Sequence, residues 1–275
     1  MALLLDDDKL PNLYKYRENS DHTFENLQIG QLRFSHPYEF NDPFDCKVNV
    51  VFKGMEQDWI RWINEQPGTV MQKKSIYDYL KSIGFDGKLF SGTREQEDIR
   101  VLLVLSLSEI NDNVLMWSHY TKYHKGLCFG FKSEIQGESL GLNFNESDVL
   151  FRGSAITPGF LPVRKVKYSI DMPPIFNSLK DDSIRLMDFS LVKHPDWAYE
   201  RERRITVATP HLKQQMVKYE KEILDEVIFG YKTSKDDIDR TIRILRNNYP
   251  NNGKNIKWKK AMPVKGKYSL KITDL

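Results

Sequence analysis

Polar and apolar positions along this chain repeat with two periods, and the places where one period gives way to the other mark its elements. Leu13 to Arg17 (LYKYR) is a short aromatic-rich run that predicts a strand. Asn19-Ser20-Asp21 then offers an N-cap to a short helix over Thr23 to Leu27, which Gly30 ends. Gln31 to Ser35 alternates as a strand. The loop HPYEFNDPFDC that follows mixes turn-formers with Tyr38, Phe40 and Phe44, so it is expected to pack over the core or over a ligand pocket.

From Met55 to Leu89, Trp59, Ile60 and Ile63 and then Ile76, Tyr79, Leu80 and Ile83 recur at helical spacing, which predicts two amphipathic helices split by Pro67-Gly68. The VLLVLSLS run at 101–108 has the composition of a buried strand. Asn111-Asp112-Asn113 caps a helix expected to hold Met116, Trp117, His119, Tyr120 and His124, and Gly126 to Phe131 forms the next strand. Further strands are predicted over Val163 to Tyr168, Ile223 to Gly230, and near Ile256 and Tyr268; a helix is predicted over Ile175 to Leu191. Ser234 opens a last helix, with Asp236 and Asp237 in its first turn and Arg243 and Arg246 towards its end, as the helix dipole favours. Without a regular βαβ rhythm, this order implies a single α+β domain over 1–275 with a helical insertion at 53–100.

One stretch carries acids at a spacing that chemistry can use. If Trp197 to Val207 is extended, Glu200 and Glu202 project from one face while Trp197, Tyr199, Ile205 and Val207 take the other. In a helix the same acids would stand about 200° apart. Pro195 upstream and the β-forming Ile205-Thr206-Val207 downstream support the strand. The plainer reading is a solvated face whose acids pair with Arg201, Arg203 and Arg204.

Bulk properties narrow the choice of function. The 275 residues are 40% hydrophobic and 29% charged, with a net charge of +3, so total charge does not indicate a nucleic-acid partner. One segment, Lys254 to Lys271, is locally basic and reads as strands with a wet face. Cys46 and Cys128 lie far apart, and Leu3 to Leu5 run straight into Asp6, Asp7 and Asp8 rather than into a signal sequence. The expectation is a reduced, cytoplasmic protein that does not span a membrane. His119, His124 and Cys128 are not spaced to share a metal from one helical turn, and no metal site is expected. The G-x-S-x-G, Walker and G-x-G-x-x-G patterns are absent.

In order along the chain, LYKYR, FNDPFDC, SLSEINDNVLMWSHYTKYHKGLCFGF, KVKY at 165–168, KHPDWAYERERRI and DEVIFG resemble the bacterial domain of unknown function 2971 from about residue 13 to the end. More distantly, an early strand with a base, a middle strand with serines and a late strand with Glu-x-Glu is similar to ADP-ribosyltransferases of the arginine, serine, glutamate type. Here S-L-S stands in place of the usual S-T-S, and the insertions are longer.

That second resemblance implies a split, mixed β-sheet core with helical insertions and NAD as substrate. It assigns Glu202 to the ribosyl cation and Glu200 to the acceptor nucleophile. Ser106 and Ser108 would set strand geometry and bind the ribose, and Arg17 or Lys15 would hold the diphosphate. Tyr14, Tyr16, Tyr120 or Phe40 would stack on a ring, and His119 would handle a further proton. The activity implied is NAD-dependent ADP-ribosyl transfer to an unspecified macromolecule, or NAD hydrolysis, in a bacterial toxin or phage-defence effector with a neutralising partner protein. The competing readings are a non-catalytic interaction module, and a metal-dependent nuclease or hydrolase built on Glu200, Glu202, His119 and Asp42.

Overall fold

A computed structural model describes residues 10–87, 102–150, 157–182 and 184–275. Leu3 to Asp8 and the last part of the expected insertion, 88–100, lie outside the described residues. The fold is mixed α+β, with one large mixed sheet and several helices.

In chain order the elements are β1 (Asn12–Arg17), α1 (Asp21–Ile29), β2 (Gln31–Arg33), β3 (Val50–Val51), α2 (Glu56–Glu65), α3 (Val70–Ser82), β4 (Leu102–Ser108) and α4 (Val114–Tyr120). Then come β5 (Leu127–Lys132), β6 (Glu134–Gln136), β7 (Ser139–Asn143), β8 (Phe160–Pro162), β9 (Arg164–Lys165), β10 (Lys167–Tyr168), β11 (Phe176–Asn177) and α5 (Ile184–Phe189). The chain ends with β12 (Val192–Lys193), β13 (Glu202–Ala208), β14 (Met216–Lys218), β15 (Leu224–Phe229), α6 (Lys235–Asn248), β16 (Lys257–Pro263) and β17 (Leu270–Asp274).

The described chain divides into two compact units. The first draws on the described residues within 10–35, 104–150, 157–166 and 196–275 and is built on an eight-stranded sheet in the order β17-β16-β15-β5-β1-β4-β13-β9. Its β15–β16 pair is parallel, whereas β1 runs antiparallel to both β4 and β5. Local signals account for the element ends. Ser20 accepts from the Thr23 amide and Gly30 closes α1 at φ +81°, a conformation that a side chain disfavours. Asn113 caps α4 by accepting from the Leu115 and Met116 amides, and Ser234 caps α6. Tyr16, Trp117, Cys128, Ile228 and Ala261 form one of the unit's buried clusters.

The second unit takes the described residues within 36–87, 102–103 and 167–195, so α2 and α3 share a core with the later segment. Trp59, Trp62, Ile63, Phe52, Phe176 and Phe189 lie at its centre, and β3 pairs in parallel with β11. Ile60 and Tyr79, expected on the apolar faces of α2 and α3, are exposed. Tyr38 and Phe44 are exposed as well, with Tyr38 stacked on His36, so these two rings of the 36–46 loop are not part of the core.

Three predicted elements are shorter than the periodicity implied. The helix expected over 175–191 covers only Ile184–Phe189. Ahead of it, Asn177 and Asp181 side chains capture nearby backbone amides, which competes with helical bonding. The strand expected at 163–168 is interrupted at Val166, whose amide bonds the Glu202 carbonyl. Tyr120 ends α4, and His124 sits beyond it in a left-handed turn with Lys122 and Tyr123.

Candidate functional site

The three elements singled out for chemistry are neighbours in the first unit's sheet. The base-bearing β1 pairs with the serine strand β4, with Tyr14 opposite Ser108, and β4 lies next to β13. Alternation along β1 then decides the company each side chain keeps. Tyr16 is buried, donates to the Ile110 carbonyl and meets Trp117 edge-on at 5.4 Å, so it is core packing with one edge at the cleft described below. Tyr14 donates to Glu226 Oε1 at 2.8 Å, which commits its hydroxyl away from any substrate.

The acids are buried, but not as two residues of one strand. Pro195–Glu200 forms a short 3₁₀ helix, Arg201 turns the chain at φ +43°, and β13 begins only at Glu202. Strand alternation therefore does not relate Glu200 to Glu202. It relates Glu202 to Arg204, and the two meet in a bidentate pair, Arg204 Nε to Glu202 Oε1 at 2.7 Å and the second guanidinium nitrogen to Oε2 at 2.9 Å. Both are almost fully enclosed, at 4% and 1% exposure. Glu200 is also buried, and its Oε1 accepts the Tyr120 hydroxyl at 2.5 Å.

The serines divide. Ser108 is enclosed; its hydroxyl donates to the Glu200 carbonyl at 2.7 Å and accepts from the Ile110 amide. It holds the turn that carries Glu200 and has no hydrogen left for a ribose. Ser106 is half-buried, and its carbonyl receives Lys15 Nζ at 2.6 Å. Burial, with Arg17 nearby, lowers the Lys15 pKa to about 7, while Glu202 and Glu200 pull it back up. Burial also raises the Tyr120 pKa, reinforced by the Glu200 charge and hydrogen bond.

Beside this enclosed group lies a polar cleft of about 500 Å³. Arg17, Ser20, Asn26, Ser118, His119 and Tyr120 line it, together with Tyr16. The Arg17 guanidinium has no hydrogen-bond or ion-pair partner among the described residues, and burial followed by the Arg33 charge lowers its pKa. Such a cation favours an anionic ligand. His119 is exposed on the wall, 6.4 Å between ring centres from Tyr199.

The predicted residues thus fall into two sets. Arg17, Tyr16, His119 and Tyr120 share the cleft; Lys15, Ser106, Ser108, Glu200 and Glu202 form the enclosed polar group. The Tyr120–Glu200 hydrogen bond joins them. Asp42 belongs to the second unit, where it caps the Phe44 amide. Among the described residues, no three His, Cys, Asp or Glu side chains gather as metal ligands. Cys128 is fully buried, and desolvation raises its pKa well above that of a reactive thiol. Arg204, expected as an ion-pair partner of the acids on a solvated face, does pair with Glu202 but in an enclosed setting, and alternation from 202 to 204 puts the two on one side of β13. The Tyr120–Glu200 hydrogen bond spans 80 positions and leaves no periodic signal.

The fold and site define an α+β protein with a cationic cleft against a buried acid pair. Residues 116–205 match the family model described as "Protein of unknown function (DUF2971)". That stretch includes Tyr120, Glu200, Glu202 and Arg204, and it agrees with the family resemblance of the motifs over that part of the chain. No curated protein matches the chain, and no solved structure does. No helix among the described residues is long and apolar enough to cross a membrane.

Proposed function

We propose that the cleft binds NAD and that the neighbouring acids promote cleavage of its nicotinamide–ribose bond, with transfer of ADP-ribose to an acceptor or to water. The observation that carries this reading is that Tyr120, on the wall of the cleft holding Arg17, donates its hydroxyl to Glu200. Arg17 is the group for the diphosphate, because its fork of donors is uncommitted.

In the reaction, the C1′–N bond breaks and its electron pair leaves with nicotinamide, while C1′ forms a bond to the incoming oxygen or nitrogen. The acceptor's proton passes to Glu200, directly or through the Tyr120 hydroxyl. Glu202 stabilises the ribosyl cation that develops at C1′. Arg204 holds both Glu202 oxygens and orients the carboxylate. The bacterial toxin or phage-defence role and the neutralising partner belong to the same proposal.

The Glu202–Arg204 pair also favours a second reading, in which the acid is purely structural and the cleft binds an anionic nucleotide without chemistry. Chromatographic measurement of nicotinamide release separates the two. The first reading expects release by the wild type, its loss in both Glu202→Gln and the Glu202→Gln/Arg204→Met double variant, and weaker substrate binding in Arg17→Ala. The double variant removes both charges together, so a folded but inactive double variant excludes collapse as the cause. A thermal shift with NAD that Arg17→Ala abolishes, without release by the wild type, establishes the second reading; neither release nor shift overturns both.

A further inference from the structure

We infer that the C-terminal hairpin is a docking edge for single-stranded nucleic acid, with its lysines on the phosphates and Tyr268 stacked on a base. β16 and β17 end the eight-stranded sheet, β17 being its outermost strand. Part of the hairpin is committed: Ala261 and Leu270 enter the core with Tyr16 and Trp117, and Lys257 and Lys259 pair with Asp225 and Glu226. The amines of Lys254, Lys260, Lys265, Lys267 and Lys271 have no partner among the described residues. Asp274, opposite Lys259, is the lone acid between Lys254 and the last residue.

Lysines on an edge strand are ordinary protection against strand-to-strand aggregation, so they do not by themselves identify a ligand. Tyr268 does. It stands in the turn between Lys267 and Lys271 at 106% exposure, and its ring touches no other aromatic or cation among the described residues. The turn is held by its own backbone, from the Val264 amide to Ser269 and from the Lys267 amide to Val264, with Gly266 at φ +75°. The ring therefore adds nothing to the packing. A solvated aromatic among uncommitted cations is what stacking on an unpaired base and neutralising its phosphates require. Met262 lies opposite Lys271 and Lys260 opposite Thr273, which carries the mixture of cation and apolar surface along the hairpin. A lipid surface would favour several inserting apolar groups over a single tyrosine. The net charge of +3 hides this patch because acids elsewhere in the chain cancel it.

The inference does not depend on the chemistry of the cleft. Its test is fluorescence anisotropy of the full chain with labelled, unstructured RNA and DNA strands of about 20 nucleotides, between about 50 and 200 mM salt. Binding is expected to weaken with salt. Tyr268→Ala should lower affinity about tenfold while Tyr268→Phe retains it. Lys265→Gln/Lys267→Gln should reduce the salt slope by about 1.4, at roughly 0.7 for each phosphate no longer neutralised. All these positions are exposed, so circular dichroism melts should coincide with the wild type. Absence of binding, equal binding by every variant, or binding confined to phosphatidylserine vesicles overturns the inference.

Discussion

Two pairs of buried acids lie on or beside the same sheet, and they differ in what surrounds them. Asp225 and Glu226 on β15 are both enclosed, set side by side by a bulge between Leu224 and Glu226. Asp225 receives Asn12 Nδ2 at 2.9 Å, Lys257 Nζ at 2.8 Å and Lys132 Nζ at 3.2 Å; Glu226 receives Tyr14 and pairs with Lys259. Burial pushes the Asp225 pKa up, but Asn12, Lys257 and Lys132 outweigh it and hold the acid at about 2. On β13 and its preceding turn, Glu202 is met by Arg204, Glu200 is met by a neutral tyrosine, and the nearby amine Lys15 is driven down to about 7. Burial of acids alone therefore does not mark a site. The β15 pair is neutralised by half-exposed lysines, whereas the β13 group adjoins an uncommitted arginine and a cleft.

The comparison is tested most severely at Arg204. Arg204→Ala leaves Glu202 enclosed without its bidentate partner and should cost about 3–5 kcal/mol in urea denaturation; a loss under about 1 kcal/mol would mean the pair is not shielded from water. At β15, Asp225→Asn should cost about 2 kcal/mol at pH 7. Because the folded pKa is depressed, that contribution is present above the unfolded value near 4 and fades as pH falls towards about 2, so wild type and variant should converge in acid.

Tyr120→Phe removes one charge-assisted hydrogen bond and should cost about 1.5 kcal/mol in stability. If the cleft reading holds, it should also shift the pH profile of nicotinamide release, which the β15 change Tyr14→Phe should leave in place. The smallest effect is expected at Lys15. Its folded pKa is lowered, so between about 7 and its unfolded value near 10.5 the unfolded chain binds more protons and stability rises with pH. Lys15→Met removes an amine that is costly to bury charged but also its hydrogen bond to the Ser106 carbonyl, so it should stabilise the protein by at most about 1 kcal/mol at neutral pH and flatten that rise. An unchanged slope of urea midpoint against pH from 7 to about 10 would show that Lys15 titrates normally.

Most of the elements, and the mixed α+β class, were legible because their signals are local. Ser20 and Gly30 bound α1, Asn113 and Ser234 cap their helices, and the composition of 102–108 and 127–132 marks buried strands. The misreadings also have local causes that periodicity does not weigh. Asn177 and Asp181 divert backbone amides before α5, and a positive φ at Arg201 separates Glu200 from the strand that holds Glu202. The candidate site was legible as a set of residue types and much less as a set of spatial neighbours.

The sequence by itself determined which segments alternate, where helices begin and stop, and that acids, serines and bases lie in a particular order along the chain. Only the tertiary structure decided that β1, β4 and β13 lie together, that Arg204 closes on Glu202, that Tyr120 reaches Glu200, and that Arg17 faces a cleft. Capping and alternation act over a few residues and leave their trace in the order of amino acids. Strand order and buried ion pairs join positions far apart, and they are selected by the free energy of burying the whole sheet at once.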